Sequence, residues 1–412
     1  MSPNARTRRL ATLSTAALST ALCLAFTAVP AQASAAPITG TAHPEAIADH
    51  YIVTLADRSP EAATRIAEAY DATVTVTYRH TMRGFAATMT PEQARLLAAD
   101  PAVAAVAADR WVGLADVGTD TDLRTDAVQL GPPNEGLDRI DQKQLPLDGR
   151  YEYPDSAGAG VTVYVLDTGV RLTHQDFAGR ITSGPDFVDG DNDADDCNGH
   201  GTHQAGIVAG NAHGVAKSAE IVAVRVLDCG GAGSLSNVLA GIDWVTDTVL
   251  NSPTHQPAVV NLALGASANP TLDDAVRTSI GAGISYSVPA GSSQQDACLN
   301  SPARVTEALT VSSSTTRTDQ ARGNFGPCVD LYAPSTDIVS TWHTSDSATM
   351  TLSGGSAATS HGAGAMALYL GEYPNATPAE VTGAIVANAT PDVLTGVPAG
   401  TANLLLNISF LV

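Results

Sequence analysis

The chain has 412 residues, enough for two or three domains of ordinary size, and 44 % of them are hydrophobic, which supports a sizeable core. A formal charge of −21 argues against a nucleic-acid partner, because phosphate binding needs clustered Lys and Arg. The same balance suits a soluble exported protein better than one resting on anionic membranes.

The N-terminus carries arginines in "NARTRRL", then the apolar run "LATLSTAALSTALCLAFTAV", then small residues in "AQASAA". That layout predicts a secretory signal peptide over residues 1–35, cut near Ala33 or Ala35. No later stretch is long and apolar enough to span a bilayer. Cys23 leaves with the signal, and Cys197, Cys229, Cys298 and Cys328 remain. An even number of cysteines in an exported chain predicts two disulfides, with three connectivities open.

Residues 48–112 read as a small α+β domain. "HYIVTL" alternates as a strand, and "SPEAATRIAEAY" is a helix with Ser59 as N-cap, Pro60 at the first helical position and Glu61 in the first turn. "TVTVTY" and "GFAATM" are strands. "TPEQARLLAAD" is a helix whose Thr90 and Gln93 are spaced for a capping box, and "VAAVAAD" closes as a strand. The order βαββαβ is that of a ferredoxin-like module. The polar, aperiodic stretch that follows, residues 113–135, reads as an exposed linker.

Residues 136–412 alternate short apolar runs with helices. "GVTVYVLDTG", "EIVAVRVLD", "PAVVNLALG", "ISYSVPAG" and "ALTVSSS" read as strands. "HGTHQAGIVAG", "SLSNVLAGIDWVTDTVL", "TLDDAVRTSIGAG" and "SHGAGAMALYLGEY" read as helices. Continuous apolar strands between helices predict an α/β fold, a three-layer doubly wound parallel sheet, whose site forms at the C-terminal ends of the strands.

Three polar residues fall at such ends or on the helices after them. Asp167 closes "VTVYVLD", where a carboxylate can hold an imidazole in one tautomer. His200 opens a glycine-flanked helix in "NGHGTHQAG", suited to a general base. His203 lies three residues on, but the zinc-hydrolase pattern H-E-x-x-H is absent, which argues against a metal pair. Ser356 follows "SGG" at a helix start, where free N–H groups stabilise an oxyanion. The chain order Asp167, His200, Ser356 is not that of an α/β-hydrolase, which runs Ser, acid, His, and the elbow's last glycine is Ala358 here.

"VYVLDTGV", "NGHGTHQAG" and "SGGSAATSHGAG" together resemble the three catalytic motifs of subtilisin-like serine peptidases, especially the proteinase K and aqualysin branch. "QLPLDGRYEYPDSAGAGVTVYVLDTG", "SPARVTEALTV" and "GTANLL" extend the resemblance over about residues 136–407, and "GFAATMTPEQARLLAADPAV" resembles the family's inhibitory propeptide. The resemblance implies a secreted serine endopeptidase, autoprocessed within the linker and using no cofactor for catalysis. In it Asp167 orients, His200 is the base and Ser356 is the nucleophile. Gly231, Gly233, Leu264, Gly265, Ala290 and Gly291 would line the substrate groove, taking an extended peptide as an added strand. The branch's spacing implies Cys197–Cys229 and Cys298–Cys328, and a structural calcium at Asp330 with carbonyls near Thr306 and Ala308. Partners would be protein or peptide substrates and the chain's own propeptide as intramolecular inhibitor, with no nucleic acid and no membrane, in a monomer.

Several positions depart from the family pattern. Ser292 stands where the family's oxyanion Asn would be, beside the backbone donor of Ser356. Gln204 takes an apolar or Cys position, Ala263 replaces Ser, and Gly355, Ala357, Ser360 and Gly362 replace Thr, Met, Pro and Val. These departures support a second reading, a protein of this fold with weak or no activity that binds peptides. "SVPAG" and "NLALG" predict an apolar, fairly open first specificity pocket.

Overall fold

The computed structural model describes residues 38–56, 62–114, 118–119 and 131–412. The signal segment, the helix start at Ser59, Pro60 and Glu61, and most of the 113–135 linker lie outside them.

Seven strands of the larger sheet run parallel in the spatial order Ile181–Asp186, Glu220–Arg225, Thr162–Asp167, Ala258–Asn261, Ser285–Pro289, Leu309–Ser314 and Leu331–Pro334. The chain starts this sheet at Thr162–Asp167, lays Ile181–Asp186 two places away, inserts Glu220–Arg225 between them, then crosses to the other side at Ala258. The point where the order reverses leaves a crevice at the carboxyl ends of the strands. Every residue of Thr162–Asp167 is buried, because helices cover both faces. Alternate side chains serve opposite cores. Val163, Val165 and Val259 pack with the helices His200–Ala209 and Gly355–Glu372. Tyr164, Leu166 and Val260 pack with Leu235–Leu250 and Pro270–Gly281.

The helix Gly355–Glu372 crosses the middle of the sheet, and its small residues permit the approach. A Cβ on Gly362 would stand 2.8 Å from Ser287 Oγ and 2.9 Å from Val311 Cγ2. One on Gly364 would stand 2.5 Å from Val215 Cβ.

The expected strands are present, with two informative differences. "PAVVNLALG" breaks after Asn261, so that Ala258–Asn261 stays in the sheet and Leu264–Ser267 turns out of it to pair with Asn300–Ser301 and with residues 113–114. Leu331–Pro334 and Ile181–Asp186 are strands unread in the sequence, and Ile181–Asp186 is an edge strand. Its Gly184 and Pro185 suit an edge and hide the strand pattern.

The N-terminal module has four antiparallel strands in the order Val103–Leu114, Ala46–Leu55, Gly84–Thr88, Thr73–Tyr78, with its two helices packed on them. The capping box at Thr90 forms as the spacing predicts, with the Gln93 N–H donating to Thr90 Oγ1 at 3.2 Å. The last strand runs five residues beyond the expected end at Asp109. Arg110 still pairs with Ala46 of the module, and residues 111–114 pair with strands of the main domain.

The module sits on the helix Leu235–Leu250. The Asp243 carboxylate accepts from the N–H groups of Arg79, His80 and Thr81 at 3.0, 2.7 and 2.7 Å, and from the Thr81 hydroxyl at 3.0 Å. At the same helix's N-terminus, Asp109 accepts from the Ser236 N–H and hydroxyl at 3.2 and 2.5 Å, a carboxylate placed where the free N–H groups favour it.

Candidate active site

Asp167 is fully buried at the end of the interior strand Thr162–Asp167, and both carboxylate oxygens accept from His200 Nδ1–H, at 2.8 and 2.9 Å. Two glycines make that approach available. Gly199, at φ +111°, is the N-cap of the His200 helix, and a side chain there would meet Trp342 and His343. A Cβ on Gly201 would fall inside contact of the Gly169 carbonyl oxygen.

A second carboxylate, which the sequence reading missed, organises this corner. Asp196 accepts from the Thr168 hydroxyl at 2.9 Å, from the N–H groups of Asn198, Gly199 and Thr202 at 2.9 Å each, and from the Thr202 hydroxyl at 2.6 Å. His203 is buried, and its Nε2–H donates to the carbonyls of Ile338 and Met350 at 3.1 Å each. Burial pushes this imidazole down to about 3, so it is a neutral structural group.

Ser356 is the second residue of its helix and 2 % exposed. Its hydroxyl donates to the Ala263 carbonyl at 3.3 Å, and no hydrogen bond joins it to His200. The first turn of the helix leaves N–H groups without intrahelical acceptors beside that hydroxyl. Ser292 lies in the loop after Ser285–Pro289. Asn324, also unread in the sequence, anchors that loop: its Nδ2–H donates to the Ala290 carbonyl at 2.9 Å and its Oδ1 accepts from Gln295 N–H at 3.1 Å.

The module's last strand fills the crevice. Gly113, Val112 and Trp111 pair antiparallel with Ala232, Gly233 and Ser234, while Leu114 and Gly113 pair antiparallel with Leu264 and Gly265. The Leu114 N–H donates to the Gly231 carbonyl at 3.3 Å. Farther on, Gly118 and Thr119 pair antiparallel with Ser353 and Leu352, just before Ser356. The chain's own segment is thus an added strand between two edges of the main domain. Beside Leu114 opens a cavity of about 170 Å³, lined by Ala266, Pro289, Ala290, Gly291, Ser292, Ser293, Asn300, Ser301 and Asn324 among others. Its lining is more polar than "SVPAG" and "NLALG" predict, because Ser292, Ser293, Asn300, Ser301 and Asn324, outside those motifs, contribute to it.

A profile of the "Subtilase family" matches residues 158–404, and one of "Peptidase inhibitor I9" matches residues 50–115. The chain belongs to the subtilase family. As a subtilase it is a serine-type endopeptidase preceded by an inhibitor-type propeptide. It is 43 % identical over 399 residues to the "Extracellular serine proteinase" of Thermus sp. (strain Rt41A), covering 91 % of this chain and 93 % of that protein. It is 42 % identical over 379 residues to the "Alkaline serine exoprotease A" of Vibrio alginolyticus, covering 88 % and 68 %. A solved cold adapted subtilisin-like serine proteinase superposes with a TM-score of 0.63 at 47 % identity, over 66 % of this chain and 97 % of that one.

Both disulfides of the subtilase are formed, Cys197–Cys229 and Cys298–Cys328. Asp330 accepts from Thr310 N–H at 2.8 Å, and burial pushes its carboxyl up to about 6. Thr306 donates to Glu307 at 3.3 Å, and Ala308 is buried. No group of three or more His, Cys, Asp or Glu side chains among the described residues is arranged to hold a metal ion. No described helix is long and apolar enough to cross a membrane.

Proposed function

We propose that this subtilase is secreted as a precursor, cuts its own chain, and then hydrolyses peptide bonds in proteins by an Asp167–His200–Ser356 triad. The observation that carries this reading is the threading of residues 111–114 between Ala232–Ser234 and Leu264–Gly265, with Gly118 and Thr119 paired to Ser353 and Leu352 just before Ser356. A peptide substrate would occupy the same place, with Gly231, Gly233, Leu264 and Gly265 as backbone partners and Ala290 and Gly291 beside the first side-chain pocket.

In the reaction, Ser356 Oγ bonds to the carbonyl carbon as its proton passes to His200 Nε2. Asp167 keeps the other ring proton on Nδ1 and stabilises the imidazolium. The oxyanion receives hydrogen bonds from the Ser356 N–H and the Ser292 hydroxyl. Collapse expels the amine, which takes the proton from Nε2, and water then hydrolyses the acyl-enzyme by the same steps in reverse order. No cofactor enters. A calcium ion would have a structural role only: a buried carboxylate with one hydrogen bond and no cationic neighbour, as at Asp330, suits a hard cation held together with the carbonyls of Thr306 and Ala308. Partners are protein substrates and the propeptide, and the chain acts as a monomer.

The bond cut in maturation falls between Leu114 and Gly118, since the paired segments on either side of it flank Ser356. Expression of the precursor and of Ser356→Ala, followed by intact mass measurement, tests both points. The parent is expected to separate at that bond and the variant to stay full length; equal accumulation of uncut chain removes the catalytic reading. The Ser356 hydroxyl directed at Ala263 favours the second reading, a peptide-binding protein of weak activity. Labelling of Ser356 by a fluorophosphonate decides between the two.

A further inference from the structure

Gln204 lies one turn after His200 on the same helix and is buried. Its amide nitrogen stands 3.3 Å from His200 Nε2, and its Oε1 accepts from the Ser360 hydroxyl at 2.9 Å. Ser360 Oγ in turn accepts from Asn261 Nδ2–H at 3.1 Å. With the amides in these orientations, the contacts form one consistent chain of donors and acceptors. Asn261 donates to Ser360, so the single hydroxyl proton of Ser360 goes to Gln204. The Gln204 oxygen is thereby committed, and the group it turns to His200 is its N–H. Asp167 holds the ring proton on Nδ1, which leaves one in-plane lone pair, on Nε2, as the acceptor.

That lone pair is the one Ser356 must use. We propose that Gln204 is a positioning residue that competes with Ser356 for His200 Nε2, acting as a built-in brake on the triad; this rests on the reading of Asp167, His200 and Ser356 given above. Two observations agree with it. The Ser356 hydroxyl is turned to the Ala263 carbonyl and not to the imidazole. The anchor of the amide comes from Ser360 and Asn261, on two other elements of the fold, so Gln204 is held toward His200 from outside its own helix. When the Ser356 proton moves to Nε2, the Gln204 N–H loses its acceptor and faces a second N–H. The arrangement therefore opposes protonation of His200 in the transition state as well as the approach of Ser356 in the free enzyme.

Gln204→Met keeps the side chain's length and removes the donor, and Ser360→Ala leaves the amide in place but unanchored. In the mature enzyme, Gln204→Met is expected to raise kcat about two- to tenfold with KM unchanged, and to raise the rate of fluorophosphonate labelling of Ser356 similarly. Ser360→Ala is expected to move both in the same direction by less. The ¹⁵N resonance of His200 Nε2 is recorded in a Ser356→Ala background, which needs no catalysis. There Gln204→Met should shift it toward the value of an imine nitrogen without a hydrogen-bond donor. A shifted resonance with kcat unchanged or lower in both variants overturns the competition. An unshifted resonance overturns the contact itself. Failure of the triad reading would show differently, as no labelling of Ser356 in any variant while the resonance still moves. Should Gln204→Met not fold, Ser360→Ala carries the same two measurements.

Discussion

Leu114 stands in antiparallel register with Leu264 while its N–H donates to the Gly231 carbonyl, so one residue of the propeptide is held from both sides of the crevice proposed to take substrate. An inhibitor that binds as an added strand uses main-chain hydrogen bonds that any extended peptide can make. Inhibition and substrate binding are therefore expected to respond together to changes in the groove walls.

Gly233→Ala tests this. A Cβ there would collide with the Val226 carbonyl oxygen, a backbone atom that cannot give way without moving the wall. The expected result is a rise of about tenfold or more in KM for peptide substrates, accompanied by weaker retention of the cleaved propeptide. Steady-state kinetics and gel filtration of freshly processed enzyme measure the two effects.

Asp243 ties the module down away from the groove. Removing a carboxylate that accepts four hydrogen bonds leaves three backbone N–H groups of residues 79–81 without it. Hydrogen bonds to charged groups contribute about 1.5–3 kcal/mol each in favourable cases, though not additively. Asp243→Ala should thus shorten the lag between self-cleavage and full activity by about tenfold or more, with kcat of the mature enzyme unchanged. Activity followed over time after processing reads this directly.

Ser292→Asn places an amide side chain at the position proposed for the second oxyanion donor. Loss of one such donor costs roughly 10²–10³ in kcat, so up to about that gain is expected where the amide reaches the oxyanion. A rise in kcat at constant KM and constant melting temperature is the signature. An unchanged kcat would mean that the Ser292 hydroxyl already serves.

His361 gives the fold an acid limit. It is buried in the Ser356 helix, with Nδ1–H donating to the Ala357 carbonyl at 2.8 Å, and burial pushes its pKa down to about 4. Unfolded histidine titrates near 6.5, so the unfolded chain binds the extra proton first. The stabilisation is complete above about pH 6.5 and is lost as pH falls toward about 4, with about 3 kcal/mol at stake. Urea midpoints measured from pH 7 to pH 4 should fall over that window, and His361→Gln should be less stable at pH 7 but flatter with pH.

Much of this protein was legible in local pattern. Continuous apolar runs such as "VTVYVLD" can only be strands covered on both faces, and Thr162–Asp167 is wholly buried. The Thr90–Gln93 spacing dictated a capping box because both partners lie within one turn. Interrupted strands were harder to read: Ile181–Asp186 contains Gly and Pro, and Leu264–Ser267 looked like the end of a longer strand. Asp196 and Asn324 escaped notice because their roles consist of hydrogen bonds to loops with no periodic signal.

By itself the sequence determined the layers, the family and the order of Asp167, His200 and Ser356, since these depend on residue type and short-range spacing. Only the tertiary structure decided that residues 111–114 occupy the groove, through pairing with strands more than a hundred residues away. It alone decided that the Nε2 lone pair of His200 is met by Gln204 rather than by Ser356. Both depend on which surfaces the folded chain brings within hydrogen-bonding distance, and local spacing carries no record of that.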